Sequence, residues 1–195
     1  LGGDRYRGAN HIMVDSDRVT FKLEYDADDH LYTMGIEQEE SSVYNLFIAR
    51  YNGEIQFDSI DNFQAGVWDY LRFHTPLAGN DQVGTAAANF EVDKTTMYVQ
   101  DKWYASDDLT VIMGVRYDKR ETPTKPTLNP NFLARNGIGN NSRFDFDSIQ
   151  PRVSFKYNAT DLFGDKVASA SIRGGRGLFL GRIPNVWYGN AYSRS

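Results

Sequence analysis

The chain has 195 residues, with 21 Lys and Arg against 26 Asp and Glu for a formal net charge of −5, and no cysteine. Without a basic excess there is no surplus of cations to displace phosphate counterions, so nucleic acid is excluded as the main partner; without thiols, disulfides and thiolate metal sites are excluded. Aromatic residues at 14% and 17 glycines, with little helical patterning, favour an all-β chain, and no apolar run approaches the ~20 residues that a spanning helix needs.

In chain order, the first clean pattern is Val19–Tyr25, where Val19, Phe21, Leu23 and Tyr25 alternate with Thr20, Lys22 and Glu24. A period of two means a strand with one apolar side. The polar turn Asp26–His30 follows, and Leu31–Arg50 reads as a long extended segment whose apolar parity is interrupted by Gln38, Glu40 and Ser42. Residues 51–85 form a long loop marked by Asn52-Gly53, Pro76 and Gly79-Asn80. Within it, Ser59 is placed to cap one short helical turn.

A hairpin then occupies about Ala87 to Asp118, turning at Ala105-Ser106-Asp107-Asp108. In its second strand Leu109, Val111, Met113, Val115 and Tyr117 alternate with Thr110, Ile112, Gly114 and Arg116. A run of that length is about what a tilted strand needs to cross a bilayer's hydrocarbon core, and Trp103, Tyr104 and Tyr117 fall where a membrane barrel keeps its aromatic girdles. In the first strand Met97, Val99, Asp101 and Trp103 share one face while Phe90 and Val92 have the other parity, a conflict that a β-bulge between them would reconcile. A second long loop, 119–148, contains Pro123, Pro126 and Pro130; the strand Ile149–Tyr157, a turn over Asn158–Lys166 and a strand over Val167–Arg173 follow.

Connections thus run short and long in alternation, the layout of an outer-membrane barrel, with short periplasmic turns and long extracellular loops. A soluble sandwich spaces its turns more evenly. The expected fold is all-β: an antiparallel transmembrane β-barrel section of about six strands, with residues 1–195 forming part of one barrel domain. The alternative is a soluble β-sandwich that binds a carbohydrate or another ligand. If Val111, Val153 and Ile172 face lipid, then Arg116, Arg152, Lys156 and Arg173 face the lumen. There they are either ordinary ion-paired side chains or a basic strip that touches a plug or an anionic solute.

Little points to chemistry. His11, His30 and His74 share no ligand spacing. Asp26-x-Asp28 opens like a calcium loop, but Leu31 stands where Gly is needed. Gly174-Gly175-Arg176-Gly177 lacks the Lys-Ser/Thr ending of a phosphate loop. The expectation is a protein that is not an enzyme and carries no cofactor or metal. Trp68, Tyr70, Arg72 and His74 in the first loop, with Trp187 and Tyr188 in the tail, are the candidate ligand-binding residues, since loop aromatics on a rigid scaffold commonly serve recognition. They suit packing between loops equally well.

Several stretches resemble the TonB-dependent outer-membrane receptors, particularly their Oar-like branch: Met97–Trp103 (MYVQDKW), Asp107–Asp118 (DDLTVIMGVRYD) and Ile149–Tyr157 (IQPRVSFKY), with Tyr44–Phe63 and Ser171–Ser193 as weaker matches. The resemblance runs in order through most of residues 19–193. It implies an energised importer in the Gram-negative outer membrane, with lipid around it. A barrel of about 22 strands is plugged by an N-terminal domain; ligand binds at the outer loops, and a TonB complex acts through the plug. Nothing in these residues resembles a plug, so the expectation is an internal section of such a barrel. The ligand is left open among small molecules, glycans and peptides.

Overall fold

The computed structural model describes residues 4–76, 83–181 and 183–193; the expected turn at Gly79-Asn80 lies outside them. Strands β1 (Ala9–Ala27) and β2 (His30–Ile48) form a hairpin of two 19-residue strands. They are joined by Asp28-Asp29, with Asp28 at a φ of 52° as a two-residue hairpin turn requires. β1 starts well before Val19, because the residues that precede the alternating stretch pair with β2 without an apolar face of their own. The first long loop contains a small hairpin absent from the sequence reading, β3 (Glu54–Gln56) with β4 (Tyr70–Arg72), and between its strands the helix α1 (Ile60–Ala65). Ser59 caps α1 as expected, accepting from the Asn62 amide at 3.0 Å.

β5 (Ala88–Tyr104) and β6 (Leu109–Glu121) form the central hairpin. Ser106 organises its turn: the Ser106 hydroxyl accepts from the Leu109 amide at 3.1 Å. The second long loop carries α2 (Pro130–Asn136), capped by Asn129 and opened by the proline. β7 (Phe146–Asn158) follows, then a single turn α3 (Thr160–Phe163) and β8 (Ser171–Gly177). β8 begins four residues later than Val167. Residues 159–170 are tied into a closed turn by Ala159 N to Ala170 O at 2.9 Å and Ala170 N to the Thr160 hydroxyl at 3.0 Å. The glycines of β8 lie flat against β7; a Cβ on Gly174 would sit 2.7 Å from the Phe155 ring. Helix α4 (Asn185–Tyr192) ends the described chain.

The six long strands form one antiparallel sheet in the order β1-β2-β5-β6-β7-β8, and the sheet is open, with β1 and β8 at its edges. No second large sheet faces it among the described residues, which excludes the β-sandwich. Because partners across a ladder share a face, the register sorts the side chains. One face carries Phe21, Ile36, Met97, Tyr117 and Ile149 in one row and Leu23, Met34, Val99, Val115 and Met113 about it, continuing to Val153. Most of these are exposed, up to 64% at Ile149 and 63% at Phe21. Buried apolar clusters are small and lie at the loop end: Val43, Ala88, Phe90 and Val92 under Tyr188 and Tyr192, and Ala9, Leu46 and Ile48 with Ala86 and Ala87. An apolar surface much larger than the interior is the inverse of a water-soluble fold. It is what lipid solvates.

The parity conflict in β5 is not reconciled by a β-bulge. The pairing of β5 with β2 runs without interruption from Ala88–Asn45 to Trp103–His30. Phe90 and Val92 belong to the face opposite Met97 and Val99 because at this height the apolar cover is on the other side: α4 packs there, with Phe90 stacked on Tyr188 and Tyr192 at 5.8 and 5.0 Å.

Candidate functional site on the polar face of the sheet

The face opposite the apolar band is polar along most of its height. Arg116, Arg152, Lys156 and Arg173 all lie on it, on the side away from Val111, Val153 and Ile172. With them are Arg18, Lys22, Lys94, Lys102 and Arg120; the acidic residues of this face, Glu24, Asp26, Glu37, Glu39 and Asp118, are fewer. On the other face carboxylates dominate. Asp17, Glu40, Asp93 and Glu121 stand directly opposite one another across four adjacent strands, just beyond the apolar band. The acidic whole-chain balance therefore conceals a basic face.

At the centre of the polar face is a hydrogen-bonded network around Asp118, which is 4% exposed. Arg116 grips it with Nε at 2.8 Å and Nη2 at 2.9 Å; Thr96 Oγ1 and Gln150 Nε2 each donate at 2.5 Å. Gln150 is itself 2% exposed, and its Oε1 accepts from Arg152 Nη2 and from the Leu180 amide, both at 3.0 Å. These bonds satisfy both carboxylate oxygens, the condition under which a buried charge persists.

The Leu180 contact belongs to a strap. After β8 the chain folds back over the polar face, with Leu178 N bonded to Pro151 O at 3.0 Å and the Phe179 ring lying 4.4 Å from the Arg152 guanidinium. It then reaches the β2–β5 side as α4. There Tyr192 donates to Thr124 O at 2.5 Å and Phe144 meets the Tyr188 ring edge-on at 5.1 Å. Two recesses remain beneath the strap, of about 390 and 480 Å³, and both are lined by Arg116, Arg152 and Phe179. The one signal of this inward course in the sequence is the odd parity of Phe90 and Val92.

The loop candidates do not converge in the same way. Trp68 is 57% exposed, and Tyr70 donates to Gln56 Oε1 at 2.5 Å while Arg72 stacks on its ring at 4.3 Å. His74 is exposed. On α4, Trp187 is 65% exposed but Tyr188 is 2% exposed, so Tyr188 is a packing residue rather than a presented one. Lys156 and Arg173 are both exposed and stand opposite each other near the turn end of the sheet, apart from both recesses. No cluster of His, Asp and Glu suited to a metal occurs among the described residues.

The apolar outer band, basic inner face, short turns at one end and long loops at the other define a section of transmembrane β-barrel wall. The chain matches the outer membrane beta barrel domain family over residues 16–193 and belongs to that family. It is a protein of the Gram-negative outer membrane, with the turns at Asp28-Asp29 and Ala105–Asp108 on the periplasmic side and the long loops outside. Neither curated proteins nor solved structures gave a significant match.

Proposed function

We propose that the chain is wall and outer loops of a TonB-dependent receptor of the Oar-like kind, which binds a ligand outside the cell and imports it by energy-coupled gating. The observation that carries this reading is the ordered set of motifs from Tyr44 to Ser193. The open sheet agrees with it: unpaired edges at β1 and β8 are not tolerated by a bilayer, and a wall completed by many further strands would be of the wide type that is plugged and gated. Trp68, Tyr70, Arg72 and His74 on the first loop and Trp187 on α4 make the first contact with ligand. Arg116, Arg152, Lys156 and Arg173 line the lumen, and the TonB complex acts through a plug domain. The protein catalyses no covalent step.

The test is depletion of solutes from a defined medium by cells with and without the gene, followed by mass spectrometry. At least one solute is removed only by cells that have the protein, and its removal stops when a protonophore collapses the inner-membrane gradient. Removal that continues unchanged without the gradient would mean a passive pore and end the proposal.

A further inference from the structure

The basic residues of the polar face are not equally neutralised. Arg116 is paired with Asp118. Arg18 and Lys94 share Glu37 and Glu39, with Arg18 Nη2 at 2.7 Å from Glu39 and Lys94 Nζ at 3.8 Å from Glu37. Arg120 and Arg152 have no carboxylate partner among the described residues, and both line the 480 Å³ recess under the strap. Asp118 cannot serve them, because its oxygens are already occupied by Thr96, Arg116 and Gln150.

Arg152 is also held in a fixed pose. Its Nη2 donates to Gln150, its Nε donates to Leu178 O at 3.4 Å, and Phe179 stacks on its plane. Its stem crosses Gly177, where a Cβ would lie 2.9 Å from Arg152 Cγ. A positioned guanidinium with donors to spare, lining the same cavity of ligand size as a second unpaired one six rungs further along the wall, is an arrangement that receives the oxyanion groups of a solute long enough to meet both.

We infer that the recess between the Phe179–Gly181 strap and the polar face of the sheet, whose carboxylates Glu39 and Asp118 are already paired with Arg18 and Arg116, is a binding site for a solute bearing carboxylate or phosphate groups, held by Arg120 and Arg152. The inference rests on the reading that the polar face lines the lumen, and it adds the chemical class of the cargo. The Phe179 ring supplies an apolar surface for the rest of the solute.

The experiment is isothermal titration of the full-length protein in detergent with succinate and with inorganic phosphate, using neutral succinamide as the control. At least one anion binds saturably and more weakly as salt is added, and succinamide does not bind. Preference between the two anions identifies the headgroup. Arg120→Gln and Arg152→Gln each lower affinity about tenfold, the loss of one charge-assisted hydrogen bond, whereas the double change Lys156→Gln/Arg173→Gln has no effect. Heat-modifiable gel mobility verifies that each variant is folded, and if one is not, salt dependence and the succinamide comparison on the unaltered protein decide. Absence of saturable binding, equal binding of succinamide, or undiminished affinity in folded arginine variants overturns the inference. Titration in detergent needs no proton gradient, so anion binding without gradient-driven uptake would remove the transport proposal alone, and gradient-driven uptake without anion binding would remove this one alone.

Discussion

Val153 and Ser154 are neighbours in sequence and opposites in environment, one on the lipid band and one on the polar face. Val153→Arg destabilises the folded protein by about 2–4 kcal/mol, whereas Ser154→Arg changes it little; urea titration in liposomes with tryptophan fluorescence measures both, and equal effects would refute the assignment of faces. His30 and Asp101 raise a subtler question, because Asp101 sits on the lipid-side parity. It is bonded to His30 Nδ1 at 2.8 Å, and its other oxygen is buried without a hydrogen-bond partner. The imidazole is in turn stacked between Tyr32 and Trp103 at 5.5 and 5.8 Å. Losing the histidine strands a carboxylate in the aromatic girdle, so His30→Leu costs about 1–3 kcal/mol, and adding Asp101→Leu restores most of it. A double-mutant cycle reads the coupling.

Among the elements, α4 is the one held in place by both a gain and a loss. The Tyr192 hydroxyl is bonded to Thr124 O, but the Tyr188 hydroxyl is buried with no partner among the described residues. Tyr192→Phe therefore costs about 0.5–1.5 kcal/mol while Tyr188→Phe is neutral or stabilising, a contrast visible in unfolding midpoints. In the sheet, the opposed carboxylates Asp17, Glu40, Asp93 and Glu121 repel across their ladders. Asp93→Asn, in the middle of that row, raises the unfolding temperature at low ionic strength, and the gain shrinks as salt screens the charges. The alternating stretches Val19–Tyr25, Leu109–Tyr117 and Ile149–Tyr157 were legible in the sequence because a lipid-facing strand must alternate wherever it touches hydrocarbon. The upper part of β1 was not, since pairing in water demands no such pattern, whereas that of β2 lies within the extended reading of Leu31–Arg50. The parity of Phe90 and Val92 suggested a bulge because the residues that cover them, Tyr188 and Tyr192, come roughly a hundred positions later, and no local pattern encodes a contact of that range.

For the molecule as a whole, charge is separated by face more than by region. Composition revealed the acidic total; only the register revealed that Arg120 and Arg152 share the polar face, and among the described residues neither has an acidic partner. The basic strip Arg116, Arg152, Lys156 and Arg173 could be grouped from alternation alone, but which of its members is free depended on Asp118 and Gln150, from different strands. The open sheet has a consequence at this scale too. Expressed alone, residues 1–195 aggregate in the absence of detergent rather than forming a monodisperse soluble protein, as size-exclusion chromatography would show.

The strands are of unequal height. β1 and β2 have 19 residues each, whereas β7 has 13 and β8 has 7. The stretch of β1 before Val19 climbs about 30 Å along its axis at ~3.3 Å per residue, out of the hydrocarbon yet paired rung by rung with β2. A protease must draw an unpaired segment into its cleft, so reaching the cell surface does not make this parapet digestible. Trypsin added to intact cells will leave Arg18 uncut, although it stands outside the bilayer, and will cleave instead at Arg135 in the second loop.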